Sequence, residues 1–492
     1  MSLSVVPRPA SPAEVRPLPD GPLHFVGIGG AGQSAIAYVL AQRGRKITGS
    51  DSGISDTARA RLESVGCQIF TTHAAENLAP DTAALIATDA VNEQNPEVAA
   101  ALARNLPVFR RPEALASLIN SAKTAICVAG THGKTTTTGM IASILIHAGL
   151  NPTVLIGGDL PLIHGNSING DPDLVVAEAC EAYGGLDCLS PTIAVITNCE
   201  PDHLDFHGSE ENFYKAFERF KSRTRVLDIT HFTDSADCLI DNHTSHDPSA
   251  TIGPYGYDFD GHLMNVWAEP TEDPAQLNFV LASNTEYPET SLIGSVNLKV
   301  PGNHNVQNSL AATCAVLAST LTTDIDNLFP AIIGGLESFT GTGRRFERLG
   351  EVGDIAVVDD YAHHPTEIRA TLQAARQAFP NRRIVAIYQP HLPSRTRDFL
   401  DGFADALSGA DALYLTDIYL AREPEQPGLI ETLAEKAGAA LVKDRFALPQ
   451  TLLAELKPGD VALFMGAGNI REQAEKYLNL LQSRSYFVAE RP

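Results

Sequence analysis

The stretch that most constrains this chain is Val128-Ala129-Gly130-Thr131-His132-Gly133-Lys134-Thr135-Thr136. It follows an apolar run, Thr124 to Val128, that reads as a buried parallel strand, and it precedes Gly139 to Leu145, which reads as a helix. Strand, glycine turn, Lys-Thr and helix in that order make a cradle for polyphosphate. The glycines let backbone N–H groups face the anion, the helix N-terminus adds partial positive charge, and the lysine reaches the terminal phosphoryl group. The first hydroxyl after the lysine is the usual Mg²⁺ ligand. Here the spacing is G-x-x-G-K-T, with Val128 where a first glycine usually stands, so the flanking strand and helix carry the argument. The expected ligand is ATP, held by Gly130, Thr131, His132, Gly133, Lys134, Thr135 and Thr136, with Mg²⁺ on Thr135.

A second glycine turn lies near the start. Leu23 to Val26 reads as a strand running into Gly27-Ile28-Gly29-Gly30-Ala31-Gly32. A helix follows, with Ile36, Ala37, Val39 and Leu40 on one side, and then a strand ending at Asp51. Gly27-x-Gly29-x-x-Gly32 with an acid some twenty residues on satisfies the dinucleotide fingerprint. Physically it establishes a diphosphate and a ribose, which a UDP-sugar also has. Further on, Arg110-Arg111 stands before Pro112 and a helix, and reads either as a phosphate contact or as a solvated surface pair.

At 492 residues the chain is too long for one core, and three domains are expected. The expected fold is α/β, with three doubly wound domains: an N-terminal Rossmann-like domain over residues 21–120, a central P-loop domain over 121–338 and a C-terminal Rossmann-like domain over 339–492. Residues 1–20 are Pro-rich and polar and read as a flexible extension without a signal peptide. A formal net charge of -23 argues against nucleic acid or an anionic membrane as partner, so any pocket for anions has to be locally positive. No apolar run approaches the ~18 residues of a membrane span. The seven cysteines (67, 127, 180, 188, 199, 238 and 314) form no C-x-x-C pair, which suits free thiols in a reducing cytoplasm.

Other strands also end in chemistry. Asp173 to Ala177 delivers Glu178 at its carboxyl end, where ligands of open α/β sheets gather, and Glu178 is placed to hold Mg²⁺, with Glu181 a second candidate. Thr192 to Asn198 leads into Cys199-Glu200-Pro201-Asp202-His203. A histidine by itself is more often structural, but His203 follows a strand expected beside those of Lys134 and Glu178, and it reads as a ligand. Residues 225–300 carry short β-like runs, Trp267 and scattered histidines (His231, His243, His246, His262) that fit no metal template and read as surface. Asn303 is expected to cap a helix from Ser309 to Ala318, with Asn305 and Asn308 towards the nucleotide. In the last third, strands ending at Asp360, Tyr388, Thr416 and Met465 empty into loops rich in His, Arg, Tyr and Asp, the rim of a third site.

Six motifs in one order are similar to those of the Mur ligases: F-V-G-I-G-G-A-G from Phe25, G-T-H-G-K-T-T-T from Gly130, E-P-D-H-L-D from Glu200, G-N-H-N-x-x-N from Gly302, D-D-Y-A-H-H-P-T-E from Asp359 and Q-P-H-x-x-S-R-T from Gln389. The resemblance spans nearly all of the chain after the first 20 residues, and is strongest to the branch that adds L-alanine to UDP-N-acetylmuramate. It implies an ATP-dependent carbon–nitrogen ligase in peptidoglycan precursor synthesis, working through an acyl phosphate. It further implies that Lys134 holds the β- and γ-phosphates, that Thr135 and Glu178 bind one Mg²⁺ and His203 a second, and that His304, Asn305 and Arg345 lie at the ATP. Gly29, Gly30, Ala31, Gly32, Asp51 and His73 are implied at the UDP end, and Tyr361, His363, His391 and Arg395 around the amino acid. The implied partners are these two substrates alone, with the chain a monomer or homodimer in the cytoplasm.

Two departures stand out. Many alanine-adding ligases read E-A-D-E-S-D where this chain has Glu178-Ala179-Cys180-Glu181-Ala182-Tyr183, so two acids near the muramyl group are missing. Sibling ligases carry a carbamylated lysine at the position of Phe217, with Lys215 out of register, so no carbamate is expected. Two rival readings are a ligase that attaches a ready-made tripeptide to the same sugar nucleotide, and a dinucleotide-dependent oxidoreductase built on the first glycine turn. Lys134, Glu178 and His203 argue against the oxidoreductase, and also against a regulatory relative without activity, since hydride transfer requires no second phosphate loop.

Overall fold

A computed structural model describes residues 6, 8–88, 91–225, 227–231, 252–259, 262–270, 277–283, 290–319, 325–421 and 423–489. The chain divides into two compact units, residues 1–299 with 306–340 and residues 300–305 with 341–492. Three sheets, mostly parallel, give the expected α/β fold.

The first unit holds two sheets. In the N-terminal one, β1 (Leu23–Val26), β2 (Ile47–Ser50), β3 (Gln68–Phe70), β4 (Ala84–Ala87) and β5 (Val108–Arg110) are all parallel in the order β3-β2-β1-β4-β5. The order reverses beside β1, which leaves a crevice at its carboxyl end where the glycine turn lies. Helix Ala31–Gln42 buries Ile36, Ala37, Val39 and Leu40, the stripe legible in the sequence.

The central sheet comprises β6 (Thr124–Ala129), β7 (Pro152–Leu160), β8 (Gly165–Ile168), β9 (Asp171–Glu178), β10 (Ile193–Ile196), β11 (Leu227–His231), β12 (Ile252–Phe259), β13 (His262–Pro270), β14 (Leu277–Ser283) and β15 (Thr290–Val296). Its order is β15-β14-β13-β12-β11-β10-β6-β9-β7-β8. The strands from β11 to β7 are parallel and β6 lies between β10 and β9, so the Lys134 turn opens at the middle of the carboxyl edge. The short β-like runs of 225–300 turn out to be the antiparallel meander β12–β15. His243 and His246 lie outside the described residues, as do the side chains of His231, His262 and Trp267.

The second unit carries β16 (Glu347–Val352), β17 (Ile355–Asp360), β18 (Arg383–Tyr388), β19 (Ala412–Leu415), β20 (Ala440–Leu441) and β21 (Asp460–Met465), ordered β16-β17-β21-β18-β19-β20. Only β16, at the edge, runs antiparallel. Alternate residues serve opposite cores: Val358, Ala386 and Leu463 pack on one face, and Val357, Val385 and Ala462 on the other.

Two expectations are corrected. The described part of residues 1–20 is not a loose extension. Val6 is buried with Val26, Leu85 and Val108, and its carbonyl accepts from Arg110 Nη2 at 2.7 Å; Arg16 donates to the Val108 carbonyl at 2.6 Å and pairs with Glu113 at 3.0 Å. Val6 at one end and Val15 and Leu18 packed on the core at the other outweigh the proline content of this strap. The helix expected from Ser309 begins at Asn303 and runs to Ser319, so Asn303 is its first residue and not its cap. Pro301 and Gly302 stop it upstream, which leaves the intervening asparagines free to turn helically. No helix among the described residues is long and apolar enough to cross a membrane.

Candidate functional site

The Lys134 turn is built by its backbone. Gly130 and Gly133 adopt φ of +132° and +81°, the left-handed region that favours glycine. A Cβ on Gly133 would also meet Asn308 Oδ1 at 2.4 Å, because Asn308 comes in from helix Asn303–Ser319 and accepts from Thr137 at 3.3 Å. The loop after β10 ties the turn down from the other side. His132 N–H donates to Asn198 Oδ1 at 2.8 Å, Thr131 Oγ1 donates to the Glu200 carbonyl at 2.7 Å, and the His132 ring meets Glu200 at 3.0 Å.

Helix Lys134–His147 starts at this turn, with Thr135 and Thr136 buried in its first turn. Lys134 Nζ folds over the loop, donating to the carbonyls of Gly130 and Thr131 and pairing with Glu181 at 3.0 Å. Burial works against its charge, but Glu181, the Cys180 sulfur and Glu178 more than offset this, and the ammonium pKa is raised. Glu181, weighed in the sequence as a metal ligand, is thus the lysine's counter-ion.

Strand register places Glu178 opposite Val128, the residue two before the turn's first glycine. Its Oε1 is buried without a hydrogen-bond partner, and its Oε2 lies where a Cβ on Gly157 would come within 2.2 Å, so only glycine leaves the carboxylate room. A buried carboxylate oxygen without a hydrogen-bond partner among the described residues, on the strand beside the one that feeds the Lys134 turn, fits a hard divalent cation such as Mg²⁺. His203 stands at the end of the adjacent β10 loop in a left-handed conformation (φ +52°), its N–H on Asp202 Oδ1 at 2.7 Å and its ring centroid 6.3 Å from that of Tyr183. The side chain of Asp205 lies outside the described residues.

At the first glycine turn, Asp51 receives the N–H groups of Gly29 and Gly53 at 2.9 and 2.8 Å, so the acid of the fingerprint also shapes its own loop. Helix Ala31–Gln42 begins at once, with Gly30 at its N-cap. His73 hydrogen bonds with Ser50 at 2.8 Å and meets Glu97 at 3.1 Å, and Glu97 in turn meets buried His24 at 3.4 Å and accepts from Asn77 at 2.6 Å. Burial would raise the Glu97 pKa, but the bonds from His24, Ser50 and Asn77 prevail and hold it at about 2. Sequence reasoning missed Glu97. The available signal was His24, a polar residue inside an otherwise apolar strand.

In the second unit the expected residues do gather. Tyr361 and His363 ring centroids are 5.3 Å apart, His363 and His391 are 6.1 Å apart, and Arg395 Nη1 lies 3.3 Å from His391 Nδ1. Tyr419 stacks on His391 at 5.6 Å and Glu367 meets His363 at 3.1 Å, two residues that had not been assigned to the amino acid. Arg345, expected at the nucleotide, stands over the Tyr361 ring at 5.2 Å and pairs with Glu367 at 3.5 Å, which places it in this cluster. Asn305 donates to the Pro301 carbonyl at 2.6 Å, and His304 folds back against Gly302.

Three family models match along the chain: the Mur ligase family catalytic domain over residues 22–123, the Mur ligase middle domain over 128–316 and the Mur ligase glutamate ligase domain over 344–468. A UDP-N-acetylmuramate–L-alanine ligase of Geobacter sulfurreducens is 41% identical over 468 residues, covering 94% of this chain and 97% of that protein. The chain belongs to the Mur ligase family. A relative of the same description from Salinibacter ruber is 37% identical over 479 residues, covering 95% of this chain and 97% of its own. Among solved structures, the UDP-N-acetylmuramate-alanine ligase MurC of Thermotoga maritima matches with a TM-score of 0.74 at 30% identity, covering 94% of this chain and 99% of that one. A murein peptide ligase of Psychrobacter arcticus shares the fold, with a TM-score of 0.62 at 22% identity over 93% of this chain and 98% of its own.

Proposed function

We propose that this Mur ligase joins L-alanine to the lactyl carboxylate of UDP-N-acetylmuramate at the expense of ATP, in the cytoplasm. The observation that carries the reading is the Lys134–Thr135–Glu178 constellation at one glycine turn, in a chain 41% identical to a ligase of that description. The same reading divides the chain into a sugar-nucleotide domain to about residue 120, an ATP domain to 338 and an amino-acid domain beyond, a division that the three successive family-model matches support.

In this reading the sugar carboxylate attacks the γ-phosphorus of ATP to give an acyl phosphate and ADP. The alanine amine then attacks that carbonyl and phosphate leaves. Both steps bring anions together, so the protein's task is positioning and charge neutralisation. The N–H groups of the 130–135 turn cradle the β- and γ-phosphates, and Lys134 exchanges Glu181 for phosphate oxygen. Thr135 and Glu178 hold one Mg²⁺, with His203 a ligand to a second; bound there, the cations would neutralise the charge passed between phosphate and carboxylate. Gly29 to Gly32, Asp51 and His73 take the UDP end. Tyr361, His363, His391 and Arg395 receive the amino acid, where a guanidinium beside aromatic rings suits a carboxylate. His304, Asn305 and Arg345 remain assigned to the ATP side on the family resemblance.

Phosphate release from Mg·ATP and UDP-N-acetylmuramate tests this, with L-alanine, the stem tripeptide or no acceptor supplied. Release that depends on L-alanine is expected. Release with tripeptide alone would replace this reading with the recycling ligase, and no release with any acceptor would overturn it.

A further inference from the structure

The sequence offers two adjacent arginines, and the structure gives them opposite fates. Arg110 is 4% exposed and its guanidinium is spent on the carbonyl of Val6, inside the core that seats the N-terminal strap. Arg111 begins helix Arg111–Ile119, and its side chain runs out across the first glycine turn. A Cβ on Gly32 would lie 3.1 Å from Arg111 Nη1 and 3.2 Å from its Cδ, so the glycine leaves room for this arginine. No hydrogen bond or ion pair engages the Arg111 guanidinium among the described residues.

The same helix packs against both helix Ala31–Gln42 and β9, the strand that ends at Glu178. The helix thus lies between the helix that follows the first glycine turn and the strand that ends at Glu178, with Arg111 itself against the first turn. In a chain of net charge -23, such a local cation is what an anionic substrate demands.

We propose that Arg111 is a binding residue for the diphosphate of the UDP-sugar, gripping it from the start of helix Arg111–Ile119 while the Gly29–Gly32 N–H groups hold the other side. The proposal rests on the reading of that turn as the sugar-nucleotide site. A guanidinium presents two parallel donors to phosphate oxygens, and helix N-termini at residues 31 and 111 add partial positive charge on both sides.

Calorimetric titration of the full-length protein with UDP, UDP-N-acetylmuramate and a non-hydrolysable ATP analogue decides the matter, on the wild type and on Arg111→Ala, Arg111→Gln and Arg111→Lys. Expected is a loss of roughly ten- to a hundredfold in affinity for UDP in the alanine and glutamine variants, with the same factor for UDP-N-acetylmuramate. Lysine should recover part of it, and the ATP analogue should bind unchanged. Thermal melting checks each variant, with the glutamine form serving if alanine unsettles the helix. Undiminished UDP binding in both would overturn the proposal. So would a loss confined to UDP-N-acetylmuramate, which would move the guanidinium to the sugar's carboxylate. A wild type that binds neither UDP nor its sugar would instead sink the reading of the first turn itself.

Discussion

Lys134 and Glu181 neutralise one another at 3.0 Å, so the cation meant for phosphate is held folded over its own loop with its charge secured by a raised pKa. Lys134→Ala should cut turnover on the order of a thousandfold or more while UDP-sugar binding stays within a few-fold, because the two nucleotide turns end different sheets. Parallel titrations with an ATP analogue and UDP would show it, and joint loss of both affinities would contradict the site assignment. Glu178 is placed differently. Its Oε1 is buried without a hydrogen-bond partner among the described residues, an acceptor that a cation would satisfy. Glu178→Gln keeps the shape and removes the charge, so the Mg²⁺ concentration for half-maximal activity should rise roughly tenfold or more. An unchanged Mg²⁺ requirement would remove Glu178 from the metal site.

At the scale of elements, the first sheet is pinned by a buried polar network and not by packing alone. Glu97 on helix Pro96–Ala103 ties β1 through His24, β2 through Ser50 and the segment after β3 through His73 and Asn77. Its folded pKa of about 2 lies below the ordinary 4.5. A carboxylate depressed in the fold stabilises above its unfolded pKa, and that contribution is lost as pH falls from about 4.5 towards 2. Asp360 runs the other way. Burial raises it to about 6 against Arg345 and the N–H groups of Phe346 and Ala362, so its contribution is largest in acid and declines as pH rises through about 6. Glu97→Gln should cost about 3 kcal/mol at neutral pH and flatten the acid limb of stability. Urea unfolding midpoints over a pH series would measure both effects; an acid limb as steep as in the wild type would count against Glu97 as its source.

For the molecule as a whole, the reading separates two kinds of dependence. As proposed, sugar-nucleotide binding draws on the first sheet, with Asp51 and the Gly29 turn, and involves no proposed metal ligand. Phosphoryl transfer, on the same proposal, draws on Thr135, Glu178 and His203. Removal of divalent cations by chelation should therefore abolish phosphate release and leave UDP affinity essentially intact, with activity restored by added Mg²⁺. Loss of UDP binding on chelation would show that the two sites share a metal.

The strand-turn-helix units at Gly27 and Gly130 were legible in the amino-acid order, as were the apolar runs that became β1, β6, β9, β10 and β18. Each such signal is local: a turn glycine, a strand period and a helix start lie within about a dozen residues of one another. The acids and histidines at strand ends were legible for the same reason, since parallel strands deliver their carboxyl-end residues to one edge. What the order of residues left open was everything that depends on which strands become neighbours. Only sheet order sets Glu178 against Val128, and only the packing of helix Asn303–Ser319 brings Asn308 to Gly133, 175 positions apart in the chain. The Glu97 network joins side chains whose chain separation reaches 73 residues, and no periodicity encodes such a partner. The strap looked loose because proline-rich polarity is read without knowing that Val6 has a core to enter. Two adjacent arginines were equivalent as letters, and only the alternation of side chains at the end of β5 sent one into the core and the other to the glycine turn.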